Sequence, residues 1–92
     1  MTNKQTLIDE LNKTIALANH EIEQKNWQEA NIHLKNALNT LGYRYLKPVM
    51  EDDTGMKLIV ADDFERKGLL EKSARLRLKM LQERFDLFKT NP

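Results

Sequence analysis

The chain has 92 residues, with 15 Lys and Arg, 14 Asp and Glu and no Cys, and its formal net charge is +1. A chain of this length supports one hydrophobic core, so we expect a single domain over residues 1–92. The absence of Cys excludes disulfide frameworks, thiolate zinc sites and cysteine nucleophiles. Because no apolar run resembles a signal peptide or spans a bilayer, we expect a cytoplasmic protein with no membrane partner.

The charges are unevenly distributed along the chain. Residues 1–65 carry a net charge of −4, whereas residues 66–92 carry +5. Such asymmetry indicates either a basic binding face or helices of complementary charge that pack together, and a compact bundle favours the second interpretation.

The first part of the chain predicts two amphipathic helices. Apolar residues recur at helical spacing over 7–22 and again over 27–41, each set within an arc of about 100° on a helical wheel. Asn26 is typical of a helix start, and Gly42 of a helix end. Because the break between the helices is short, they are predicted to form an antiparallel hairpin over 5–41.

The middle of the chain leaves two alternatives open. Residues 42–53 are predicted to be a linker, because Pro48 is incompatible with a regular helix. For residues 43–60, one alternative begins a third helix at Thr54. The other pairs "YLKPVM" with "MKLIV" in a β-hairpin around "EDDTG". The competing signals favour the helix.

A long C-terminal helix, within a helical part over 54–90, is predicted to carry two apolar stripes. The first consists of Leu70, Ala74, Leu78, Leu81, Phe85 and Phe88. The second consists of Leu69, Leu76, Met80 and Leu87 and lies roughly 130° away on the wheel. Arg77 and Arg84 fall between the stripes. The predicted fold is therefore an all-α bundle of three or four helices.

The series Ala18, Trp27, Ala30, Leu34 and Ala37 resembles a single tetratricopeptide unit. In that family small residues let two antiparallel helices approach closely, and an aromatic residue lies near the turn. A weaker similarity recurs 43 residues later, beginning at Ala61. That period exceeds the ~34 residues typical of the repeat. The resemblance covers about half the chain and implies a tetratricopeptide-like hairpin.

The sequence does not favour an enzyme, a metal site or a bound cofactor. The two histidines, His20 and His33, point in different directions on their helices, and a zinc site needs at least three convergent protein ligands. The acidic residues between positions 51 and 63 do not match a calcium-binding loop, and helix capping explains them better. No phosphate-binding loop or nucleophile motif occurs.

The second stripe of the C-terminal helix carries the functional hypothesis. One stripe suffices to join the core, so the second must be covered either by another part of the chain or by a partner. We therefore expect a protein-interaction module that forms a homodimer or docks a partner helix. Its predicted contact residues are Leu69, Leu76, Met80 and Leu87, with Arg77 and Arg84 orienting acidic groups at the edge.

The alternative function is nucleic-acid binding by a small regulatory protein. The C-terminal part carries a high density of cations, which phosphate attraction requires. The helical wheel spreads these cations around most of the helix, and no recognised reading module accompanies them. We therefore place this alternative second.

Overall fold

The computed structural model describes residues 4–44 and 54–90. These residues form four helices: α1 (Lys4–Glu23), α2 (Trp27–Arg44), α3 (Thr54–Arg66) and α4 (Leu70–Thr90). The predicted all-α class is confirmed in its four-helix form, and no strand occurs among the described residues.

For residues 43–60 the favoured alternative, a third helix that begins at Thr54, is confirmed by α3. The β-hairpin alternative and the predicted helix end at Gly42 are wrong. The β-hairpin alternative for residues 43–60 fails because "MKLIV" lies inside α3. Leu58 packs against the core and Ala61 is fully buried, so helical packing outweighs the strand preference of the Leu-Ile-Val run. Gly42 does not end α2, which continues to Arg44. Most of the predicted linker, with "YLKPVM", falls on residues 45–53, which lie outside the described residues.

The helices form two hairpins, α1–α2 and α3–α4, whose turns have the same backbone hydrogen bonds. In the first turn the Asn26 N–H donates to the carbonyl of Glu21 at 2.8 Å, and the Lys25 N–H donates to that of Ile22 at 3.0 Å. In the second turn Leu69 and Gly68 make the corresponding bonds to Phe64 and Glu65 at 2.8 and 3.0 Å. Both are Schellman-type helix ends, in which one residue adopts the left-handed conformation.

That left-handed residue is Lys25 in the first turn, with φ of 61°, and Gly68 in the second, with φ of 79°. Glycine adopts this conformation without steric cost, whereas a residue with a Cβ is strained there. The two turns therefore have one backbone geometry but differ in strain.

The two hairpins pack through their second helices. Helix α2 contacts α1 and α4, and α3 contacts α4, so α2 and α4 form the centre of the bundle. They run in the same direction. Near the start of α2 the Asn31 side chain reaches the carbonyl of Leu70 at the start of α4. Lys4, which begins the antiparallel α1, lies against Phe88 near the end of α4.

The core is built mainly from α2 and α4. Its buried hydrophobic residues, with those of the outer helices, are Leu7, Leu11, Ala18, Ala30, Leu34, Ala37, Leu38, Leu41, Ala74, Met80, Leu81, Phe85 and Phe88. Four polar or charged residues are buried as well: Asn31, Ser73, Arg77 and Arg84. All four lie on the two central helices.

Candidate partner-binding surface

The second stripe of α4 is not a continuous free row, because Met80 in its middle is buried and Leu76 is half-buried. Helix α3 packs along α4. Near the start of α3, Lys57 forms an ion pair with Glu83 at 3.8 Å. Further along α3, the carbonyl of Ala61 accepts a hydrogen bond at 2.8 Å from the hydroxyl of Ser73, which lies in the first turn of α4. The 13 residues of α3 thus lie along the central part of the 21-residue α4.

Both ends of the stripe remain accessible. Leu69, which immediately precedes α4, is 42% exposed, and Leu87 in its last turns is 50% exposed. Leu76 is half-buried and packs against the core from outside. The two exposed leucines are 18 residues apart, which corresponds to five helical turns and a separation of about 27 Å on the same side of the helix.

The structure buries the other three predicted contact residues. Met80 and Arg77 are each 1% exposed, and Arg84 is also buried. As an inner helix of the bundle, α4 packs against both α2 and α3, so its buried arc is wide. The arc includes the space between the two stripes, where both arginines lie. The expectation that these three residues form an accessible contact face is therefore corrected.

Arg77 is the buried centre of a polar cluster that joins α2, α3 and α4. Its guanidinium donates to the Oδ1 atom of Asn31 at 2.9 Å, to the Oδ1 atom of Asp62 at 2.5 Å, and to the carboxylate of Glu65. The cation thus contacts two carboxylates and one amide oxygen. Removal of a charge from water is costly, and such hydrogen-bonded ion pairs offset that cost.

Asn31 and Glu65 extend this Arg77 cluster to further groups. The Nδ2 atom of Asn31 donates to the carbonyls of Trp27 at 2.9 Å and Leu70 at 3.0 Å, which links the first turns of α2 and α4. Glu65 also accepts from the Nζ atom of Lys35 on α2 at 3.1 Å. The hydrogen bond from Arg77, assisted by Lys35, holds the pKa of Glu65 below its ordinary value, although burial opposes this shift.

An open groove lies between the first turns of α2 and α4, and Leu69 forms part of its wall. Its other lining residues are Trp27, Gly68, Leu70, Glu71, Lys72 and Arg75. The guanidinium of Arg75 lies 5.4 Å from the centre of the Trp27 ring and bonds to Glu71 at 2.9 Å. The groove therefore combines apolar walls with a cation held above an aromatic ring.

Several of the cations suggested for nucleic-acid binding are already engaged within the chain. Asp63 pairs with Lys67 at 2.8 Å and with Arg66 at 3.4 Å, and the bond from Lys67 lowers the pKa of Asp63. Arg75 pairs with Glu71, and Arg77 is buried. These contacts reduce the excess positive charge available to phosphates.

Among residues 4–44 and 54–90, no group of three or more His, Asp or Glu side chains is placed to hold a metal ion. Over the same residues, no helix combines the length and the apolar character needed to cross a bilayer. No family model, curated protein or solved structure matches this chain.

Asn31 and Trp27 took part in no predicted site. Asn31 lies in the apolar series of α2, between Ala30 and Leu34, and a single amide at the edge of an apolar arc would have been its only signal. Trp27 was assigned to the hairpin alone. The approach of α4 to the first turn of α2 is a long-range contact that helical periodicity does not show.

Proposed function

We propose that this chain is a non-catalytic protein-interaction module that associates with itself or docks a helix of a partner protein. Exposed Leu69, at the wall of the groove beside Trp27, is the single observation that carries the proposal. An apolar side chain in an open groove between two helix starts provides the hydrophobic centre that a protein contact needs.

Leu76 and Leu87 extend the proposed contact along α4. Leu87 is exposed, and Leu76 is half-buried, so both can lose further surface to a partner. Met80, Arg77 and Arg84 support this surface from inside and do not contact the partner. The proposal retains the tetratricopeptide-like character of the first hairpin, in which Ala18 and Ala30 are fully buried where two helices approach closely.

Nucleic-acid binding remains the competing proposal. The observations that disfavour it are the ion pairs of Arg66, Lys67 and Arg75 with carboxylates of the same chain. It requires an affinity that falls steeply as salt increases, because phosphate binding releases counterions.

Solution mass and partner binding of a Leu69→Glu variant test the proposal. Leu17→Glu is the matched control, since Leu17 is a similarly exposed leucine on α1. Light scattering coupled to size exclusion, at low and high salt, should show a salt-insensitive complex that Leu69→Glu weakens and Leu17→Glu retains. An unchanged mass and partner set for a folded Leu69→Glu protein would contradict the proposed surface. Salt-sensitive binding of a DNA or RNA duplex would support the competitor.

A further inference from the structure

The two hairpins are related by a constant offset of 43 residues in their burial pattern as well as in their turns. The buried residues of α2 up to position 41 are Ala30, Asn31, Leu34, Ala37, Leu38 and Leu41. Their counterparts 43 residues later are Ser73, Ala74, Arg77, Met80, Leu81 and Arg84, and every one of these is also buried. Ala18 on α1 and Ala61 on α3 obey the same offset.

This correspondence indicates a two-fold relationship between the hairpins. If the second hairpin were only shifted along from the first, α2 and α4 would meet through different faces, and their buried positions would differ. Instead the same positions are buried on both helices, and α2 and α4 run in the same direction. The contact is of the isologous kind found in symmetric dimers, here within one chain.

The equivalent buried positions differ in residue type at several sites, and one pair of these sites lies where α2 hydrogen-bonds to α4. Arg77 replaces Leu34, and Asn31 occupies the position equivalent to Ala74. The hydrogen bond between the Arg77 guanidinium and the Asn31 Oδ1 atom therefore has an apolar counterpart, Leu34 against Ala74, across the two-fold relationship. The carboxylates that hold Arg77, Asp62 and Glu65, likewise correspond to uncharged Asn19 and Ile22 on α1.

We propose that the bond between Asn31 and Arg77 is a pairing-specificity device, which makes a first hairpin select a second hairpin over the first hairpin of another copy. Because the two hairpin surfaces are nearly equivalent, each hairpin could also pair with the same hairpin of a second copy. That pairing competes with the pairing of a first hairpin with a second one. The polar pair distinguishes these alternatives because the buried amide oxygen of Asn31 finds its donor only on the second hairpin, whereas Arg77 keeps Asp62 and Glu65 of its own hairpin in any pairing.

Each of the two incorrect pairings loses the hydrogen bond between Asn31 and Arg77. When the first hairpin pairs with a first hairpin, Leu34 of the other copy faces the buried amide oxygen of Asn31. When the second pairs with a second, Ala74 stands in the place of Asn31, and Glu65 loses Lys35 to the equivalent Leu78. A buried polar group without its hydrogen bond is costly, so both incorrect pairings are disfavoured.

Two single variants of the full chain test the device at Asn31. Asn31→Ala removes the penalty for pairing two first hairpins and weakens the correct pairing at the same time. Asn31→Asp retains an oxygen that accepts from Arg77, so it retains the selectivity. Donor-labelled and acceptor-labelled copies would be unfolded together in urea, refolded by dilution and separated by size exclusion.

For Asn31→Ala we expect energy transfer between labels in a species of twice the wild-type mass, with a yield at least tenfold above that of wild type and of Asn31→Asp. A yield for Asn31→Ala equal to that of wild type would overturn the proposal. So would an equal increase for Asn31→Asp, because it would show that general destabilisation is responsible.

A second variant keeps the proposal testable if Asn31→Ala does not refold. This quadruple variant combines Asp62→Asn, Glu65→Ile and Arg77→Leu, which give the second hairpin the uncharged residues of the first, with Asn31→Ala, which gives the first hairpin the residue equivalent to Ala74. We expect this quadruple variant to resist urea at least as well as wild type. During the same refolding it should form the species of twice the wild-type mass that shows energy transfer between labels. A stable quadruple variant that recovers only the wild-type mass would refute the device. The outcome does not depend on Leu69, so it is separate from the proposed function.

Discussion

The two turns between helices allow a stability prediction whose sign is opposite at two equivalent positions. Lys25 and Gly68 both adopt the left-handed conformation, with φ of 61° and 79°, in turns with the same hydrogen bonds. We expect Lys25→Gly to stabilise the protein and Gly68→Ala to destabilise it. A Cβ on Gly68 would meet no atom within 4 Å, so the second change acts through the backbone alone.

The expected magnitude follows from two opposing terms. A residue with a Cβ costs about 1–2 kcal/mol in the left-handed conformation. Glycine loses more conformational entropy on folding, by about 0.5–1 kcal/mol relative to alanine. The difference leaves about 0.5–1 kcal/mol in favour of glycine at either position, and a change of 1 kcal/mol shifts the Tm of such a domain by about 4–8 °C.

Thermal unfolding followed by far-ultraviolet circular dichroism would measure both changes. Lys25→Ala is the matched control, since it removes the Lys side chain but retains the Cβ and should leave the Tm within about 2 °C of wild type, as for surface substitutions generally. Equal Tm values for Lys25→Gly and Lys25→Ala would show that the backbone strain at this turn is no larger than the entropy cost of glycine, against the expected stabilisation. A higher Tm for Gly68→Ala would refute the reasoning for both turns.

Three further predictions concern the core, the Arg77 cluster and a surface ion pair. Leu34→Ala should reduce the free energy of unfolding in urea by about 2–5 kcal/mol, because Leu34 is fully buried, whereas Leu17→Ala at an exposed position should change it by less than about 0.5 kcal/mol. Since the folded pKa of Glu65 is lowered by Arg77, its contribution is present above its unfolded pKa and is lost as pH falls through the folded value. Glu65→Gln should therefore flatten the loss of stability in that acidic range, and an unchanged pH profile would contradict the assigned role of Arg77. Glu71→Gln, which removes the exposed partner of Arg75, should cost no more than about 1 kcal/mol at low salt, so a larger loss in urea unfolding would be inconsistent with a surface pair.

The sequence predicted the elements that helical periodicity determines. The all-α class and the start of the second helix at Trp27 are confirmed, because apolar spacing and the residue before a helix are local signals. Gly42 was wrongly predicted to end the second helix, since α2 continues to Arg44. Glycine is common at helix ends, but helical bonding past it is decided by the packing of the whole helix.

The candidate surface was predicted less well, because burial depends on the number of neighbours that a helix has. A helical wheel assigns one apolar stripe to the core and leaves the second unassigned. Whether Met80 is buried then depends on how many helices pack against α4, which contacts both α2 and α3. In the second stripe, Leu69 and Leu87 are the residues that stay exposed. Arg77 was assigned to a surface edge because arginine is rarely fully buried without partners. Its partners lie 12, 15 and 46 residues away in the chain, beyond the reach of a local pattern.

The polar cluster also explains why the structural repeat is faint in the sequence. A buried position constrains size and shape, but its chemistry can change if its neighbours change with it. Leu34 and Arg77 occupy equivalent buried sites, and the change of residue type is matched by Asn31, Asp62 and Glu65 around the arginine. Side-chain identity therefore diverges while the burial pattern is retained. Direct comparison of the two halves of the sequence underestimates their structural equivalence for this reason.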